Sequence, residues 1–310
     1  MRDELWRLGA SDMLAGMQRG DFTSRDLVQA CLARLDAVNP AINAIYEWHA
    51  DEALAAADAA DRRRRDGEAR GPLHGLPVLI KGNVDVAGQP TTHGCIALQD
   101  NIAPGNSDCV QNWLDAGAVI IGRTNTPEFC CRWETTNDFQ GVTHNPWNRD
   151  LGPGGSSGGS AAAIATGIAP LAHGTDLGGS LRDPAQACGI ASIKPTLGRV
   201  ADFQPSDAHD PAIGVQLFNT DGPMARRVAD VRLGLQAMSA RSHNDPWWVP
   251  APLAAREGIR RIALVTNPAG QGISDHVAGG IAQAGRLLSA AGYDVVETEP
   301  PGIEDAADVW

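Results

Sequence analysis

From about residue 72 the chain alternates short apolar runs with helical stretches, and this constrains the fold more than any other feature. Leu76-Pro77-Val78-Leu79-Ile80 reads as a buried strand ending at Lys81. Ser107 caps a predicted helix that runs to Asp115 and closes at Gly117, and Ala118-Val119-Ile120-Ile121 reads as a second buried strand. Strand and helix in this order predict an α/β sandwich around a largely parallel sheet. Residues 1–70 read as an outer helical layer. There Thr23 and Asp26 have the spacing of a capping box, Leu27, Cys31, Leu35 and Val38 follow at helical intervals, and Asn39-Pro40 is expected to stop the helix. Residues 50–65 are alanine-rich and helical. Downstream, a helix is expected over Ser160–Ile168, a strand over Arg261–Val265, a helix over 276–291, a strand over Asp294–Val296 and a further helix from about Glu304. No internal repeat or low-complexity linker breaks the 310 residues, so one domain over 1–310 is expected, with layers 1–70, 71–230 and 231–310.

The formal net charge of −12 argues against sequence-independent nucleic-acid binding, which needs a basic surface. The one basic run, Arg62 to Arg65, is flanked by Asp61 and Asp66 and reads as a solvated helix end. Six cysteines at 31, 95, 109, 130, 131 and 188 form no CxxC pair, so neither a zinc site nor a disulfide framework is expected. The N-terminus has no apolar core of a signal peptide, and no run has the ~18 apolar residues of a membrane span. A soluble, reduced, cytoplasmic protein is expected.

Only two of the 25 basic residues are lysine, Lys81 and Lys194. Arginine stays protonated in a protein, whereas a buried lysine can be neutral, so a retained lysine marks a place where a removable proton matters. Three segments carry chemistry: Leu79-Ile80-Lys81-Gly82-Asn83, Gly154-Gly155-Ser156-Ser157-Gly158-Gly159 and Gly174-Thr175-Asp176-Leu177-Gly178-Gly179-Ser180. The middle one matches GxSxG around Ser156 or Ser157, the pattern of an α/β-hydrolase elbow, but follows an Asn/Pro/Arg-rich loop rather than a strand. It also lacks the lysine of a P-loop. The third places two glycines before Ser180, where backbone N–H groups can converge beside the hydroxyl and stabilise an oxyanion. A nucleophilic serine needs a base. None of the eight histidines stands in a pattern that singles it out, whereas Lys81, at a strand end, can be held neutral by desolvation.

Together these segments resemble the amidase signature enzymes. The resemblance runs through Leu73 to Lys81, Gly117 to Phe129, Asn145-Pro146-Trp147, Pro153 to Ala162, Gly174 to Arg182, Cys188-Gly189 and Lys194-Pro195-Thr196, in order, over about residues 10–230. It implies a mixed, largely parallel sheet with helices on both faces, and a hydrolase cutting carboxylic amide C–N bonds. It implies Ser180 as nucleophile, Ser156 as bridging serine on a cis peptide bond, and Lys81 as base. The backbone N–H groups of Leu177, Gly178, Gly179 and Ser180 would form the oxyanion hole. Ser157, Thr175, Asp176 and Arg182 would support them, and Lys194 would be structural. The substrate implied is a small-molecule amide, with no metal, cofactor, nucleic acid or membrane; a homodimer is left open. Gly82 departs from the acidic residue usual after the lysine. Family members continue past the position of Trp310, so the C-terminal part is expected to be shortened. Three alternatives stand beside this reading: an amidotransferase-type protein of the same family, an esterase using Ser156 or Ser157, and a non-catalytic binding protein.

Overall fold

The computed structural model describes residues 2–254, 258 and 260–305. In chain order the elements are α1 (Ala10–Arg19), α2 (Ser24–Ile42), β1 (Ile45–Glu47), α3 (Ala50–Arg65), β2 (Pro77–Lys81), α4 (Asp108–Asp115), β3 (Val119–Thr124), β4 (Thr136–Asn137), β5 (Gly141–Val142) and α5 (Gly158–Thr166). Then come β6 (Leu171–Asp176), α6 (Arg182–Cys188), β7 (Ala191–Ser192), α7 (Ile213–Phe218), β8 (Thr220–Ala225), α8 (Val228–Met238), β9 (Arg261–Leu264), α9 (Asp275–Ala290) and β10 (Asp294–Glu297). They divide into two compact units, residues 1–251 and 252–310.

The first unit is built on a six-stranded sheet in the order β1-β3-β2-β6-β8-β7. The α/β architecture is as expected, and the sheet is mixed. Parallel pairing is confined to its centre, β3-β2-β6, while β1, β8 and β7 join antiparallel. The central strands are buried on both faces, and so read in the sequence as continuous apolar runs rather than alternating ones. On one face Leu79, Val119, Ile121, Ala172 and Met224 pack with Val28, Leu35, Ala57, Ala161, Ile164 and Ala185 of α2, α3, α5 and α6. Each fully buried Leu or Ile there contributes about 1.5–3 kcal/mol. On the other face α4 and α8 pack together, Trp113 Nε1 donating to the Gly234 carbonyl at 3.0 Å.

The capping box at Thr23 and Asp26 forms with both of its hydrogen bonds. Pro40, expected to stop α2, lies inside it, and the helix continues to Ile42. The proline removes one helical hydrogen bond, the one its N–H would make to the Asp36 carbonyl, and does so only two residues before the helix ends. The stop comes instead at Asn43, left-handed at φ 50°, and the Asn39 side chain bonds the backbone of Ala44 and Ile45 beyond it.

The second unit pairs β9 with β10 in parallel, with α9 between them in the chain. Ser274 caps α9. The helix expected from Glu304 begins as a 3-10 turn over Ile303–Asp305, and its remainder lies outside the described residues. No described helix is long and apolar enough to cross a membrane.

Candidate active site

Lys81 is the last residue of β2, and Thr175 and Asp176 close the neighbouring β6. The parallel register Val78↔Leu171 and Leu79↔Ala172 brings the two strand ends together. Lys81 is fully buried. Its Nζ donates to Ser156 Oγ at 2.6 Å and to Thr175 Oγ1 at 2.8 Å. Burial pushes the Lys81 pKa below the ordinary lysine value, against the opposing pull of Cys130, Asp221 and Asp176 nearby.

Ser156 sits in the loop before α5, and the Gly155–Ser156 peptide bond is cis. Two features hold this loop. The Gly155 N–H donates to Asp183 Oδ2 at 3.0 Å, and Ser157 Oγ exchanges hydrogen bonds with the Thr175 backbone at 3.3 Å. Gly159, on the first turn of α5, lies against backbone: a Cβ there would fall 2.5 Å from Asn125 N and O. Only glycine lets the helix start approach β3 this closely. Ser160 Oγ then donates to the His173 carbonyl of β6 at 2.7 Å.

Asp176 organises the turn that carries Ser180. Its carboxylate accepts from the N–H of Gly179 (2.7 Å), Leu181 (3.1 Å) and Arg182 (3.4 Å), and from Arg182 Nε (2.9 Å) and Nη2 (3.0 Å). Burial alone would raise its pKa, but the Arg182 guanidinium and these amides together hold it below the usual carboxylate value. Lys194 is half-buried and electrostatically close to this pair.

Ser180 is buried and opens, with Ser156 and Thr175, onto a cavity of about 700 Å³. Phe129 and Cys130, both left-handed at φ 50° and 59°, form part of its wall. Ser180 Oγ has no hydrogen-bond partner among the described residues. The backbone amides of Leu177, Gly178 and Ser180 are likewise unpaired, whereas that of Gly179 is held by Asp176. Gly179, expected in the oxyanion hole, thus directs its N–H to the Asp176 carboxylate in this structure.

A family model described as Amidase matches residues 26–310. The chain belongs to the amidase family. It is 44% identical over 308 residues to an indoleacetamide hydrolase of Bradyrhizobium diazoefficiens, covering 99% of this chain and 59% of the relative. It is 42% identical over 242 residues to a glutamyl-tRNA(Gln) amidotransferase protein of Chloroflexus aurantiacus, covering 78% of this chain and 48% of that one. The structure of native peptide amidase from Stenotrophomonas maltophilia superposes with a TM-score of 0.85 at 35% identity, covering 97% of this chain and 63% of that one. The chain thus spans about half to three fifths of the length of these relatives.

The amidase fold brings together Lys81, Ser156, Ser157, Thr175, Asp176, Ser180 and Arg182, all named from the sequence. The elbow reading of the GxSxG segment does not hold. No strand leads directly into it, Ser156 Oγ faces Lys81, Ser157 Oγ faces backbone, and no histidine bonds to either among the described residues. At the departure from the family pattern, the Tyr46 ring occupies the space beside Gly82: a Cβ at 82 would lie 2.8 Å from Tyr46 Cε1.

Sequence reasoning missed several neighbours. His173, read as undistinguished, is fully buried with its Nε2 3.0 Å from Asp221 Oδ1 and 3.6 Å from Cys109 Sγ. Asp183 was missed as the anchor of the Gly155 turn, and Trp133, whose Nε1 donates to the Gly178 carbonyl at 3.0 Å, as a clamp on the Ser180 loop. Asp183 follows Arg182 directly, and that adjacency was the available signal; for Asp221, about forty residues away, there was none.

Proposed function

We propose that this protein hydrolyses the C–N bond of a carboxylic amide through an acyl-enzyme on Ser180. The observation that carries the reading is the buried amine of Lys81, within 2.6 Å of Ser156 Oγ and 2.8 Å of Thr175 Oγ1, beneath a cavity shared by Ser156 and Ser180. With Lys81 neutral, its Nζ lone pair accepts the Ser156 proton while Ser156 Oγ takes the proton of Ser180 Oγ. The Ser180 oxygen attacks the amide carbon, and the negative charge on the carbonyl oxygen is met by the free amides of Leu177, Gly178 and Ser180. The proton held on Lys81 returns through Ser156 to the leaving nitrogen, the C–N bond breaks and the amine departs. Water, deprotonated by the same relay, attacks the ester and releases the acid, restoring the Ser180 hydroxyl. Closure of the Ser156–Ser180 link on substrate binding is part of this reading, since catalytic hydrogen bonds often tighten only in the complex.

Arg182, Asp176 and Ser157 hold the two serine turns in place and touch no reacting atom. A cytoplasmic location goes with this reading, and the six cysteines are all free thiols. The named activities of the relatives make indoleacetamide and peptide amides the first substrates to try. Labelling with a fluorophosphonate, followed by mass spectrometry of the adduct, tests the mechanism: an adduct on Ser180 that is lost in Lys81→Ala is expected. Labelling at Ser156 with Ser180 untouched, or full labelling in Lys81→Ala, would overturn it.

A further inference from the structure

The cavity above Ser180 is lopsided in charge. Asp202, Asp207 and Asp210 lie on its wall, and no arginine or lysine stands among the described residues that line it. Asp202 Oδ2 accepts from Asn219 Nδ2 at 2.7 Å, while its other oxygen has no partner among the described residues. The segment bearing these carboxylates is anchored at Ser206, whose N–H and Oγ donate to Asp85 at 2.7 and 2.8 Å. A second, independent feature points the same way. Asn83, 9% exposed on the same wall, has a buried side-chain oxygen that accepts no hydrogen bond among the described residues. A buried carbonyl oxygen without a donor is costly, and it is satisfied when a ligand supplies the N–H.

We propose that the cavity selects amides whose acyl part carries a positively charged amine, with the ammonium seated at Asp202 and Asp207 and donating to Asn83. The proposal rests on the amidase reading of Ser180 and adds the substrate class. Phe129, Phe203 and Leu177 supply the apolar surface for the stem between carbonyl and ammonium. The charged groups facing Asp202 are the carboxylates Asp221, Asp245 and Asp207, and the histidines on the wall are His93 and His209. Desolvation within the loop, chiefly, and these carboxylates push the Asp202 pKa up to about 7, an upper bound because the residue is exposed to solvent. Water reaches the residue from the cavity and screens part of the effect. Ionisation of a raised carboxyl grows as pH rises through its pKa, so the preference for a cation strengthens with pH.

The test compares 7-aminoheptanoyl 4-nitroanilide with octanoyl 4-nitroanilide, which differ by an ammonium in place of a methyl. The expected result is kcat/KM about tenfold higher for the cationic substrate, a ratio that shrinks at high salt. Asp202→Asn lowers the ratio several-fold, and Asp207→Asn, a second isosteric change, lowers it less. Equal or better turnover of the octanoyl compound by the native enzyme overturns the proposal, as does a ratio unmoved by both substitutions. If neither anilide is cleaved, calorimetric binding of 7-aminoheptanamide against octanamide to Ser180→Ala decides on the same ratio. Failure of the amidase reading shows separately, as absence of fluorophosphonate labelling at Ser180 in a folded protein.

Discussion

In the proposed mechanism a single side chain sets the chemistry of the site. Lys81 is the one lysine that is fully buried, and its two hydrogen-bond partners are hydroxyls rather than carboxylates. Its pKa is lowered by desolvation, so the group is protonated at low pH and becomes a base as pH rises through a value below 10.5. The proposed mechanism therefore predicts amide hydrolysis that rises with pH along a limb assigned to Lys81, read from kcat/KM between neutral and alkaline pH. Lys81→Ala lowers kcat by about 10³-fold, within the usual span for loss of a general base. Lys81→Arg gives no rescue, because a guanidinium keeps its proton. An arginine variant retaining more than a tenth of native kcat would contradict this role. The residue was legible in the sequence because lysine is so rare in it. The bond from Gly179 to Asp176 was not: a Gly-Gly-Ser turn tells that amides can converge, but not which of them the preceding aspartate accepts from.

At the scale of elements, the turn between β6 and α6 is held by one carboxylate. Asp176 is fully buried and serves three amides and a guanidinium, so Asp176→Asn leaves donors without an acceptor and costs about 2–4 kcal/mol, measured as a fall in Tm. Its folded pKa is depressed, so its stabilising contribution is complete above the ordinary carboxylate value of 3.8 and is lost as pH falls through the lower folded value. Acid titration of unfolding in native and Asp176→Asn protein shows this as a stability difference that closes below that range. Existence and type of β2, β3, α3 and α4 were readable from apolar runs, caps and glycines. The antiparallel flanks were not, because strand direction depends on where the chain returns after α6 and α7, and β7 has only two residues with which to announce itself. The carboxylates of residues 202–210 escaped for a similar reason: a polar loop reads as solvated until its anchor at Asp85 is seen.

The molecule as a whole is unevenly consolidated. In the first unit β2, β6 and β8 are buried along their whole lengths, whereas in the second, among the described residues of α9, only Gly285 is buried. Amide hydrogen exchange should accordingly be fast in α9, β9 and β10 and approach the global limit in β2 and β6; equal protection in the two units would contradict this. The contact between Lys81 and Thr175 spans 94 positions of the chain. Loops of that length close late and at a high entropic cost, and no shorter piece of the sequence holds both groups. The amine and its hydroxyl partners thus meet only when the centre of the sheet has assembled. A nascent or misfolded chain carries an ordinary, inert serine, and the appearance of fluorophosphonate reactivity during refolding is a clock for the pairing of β2 with β6.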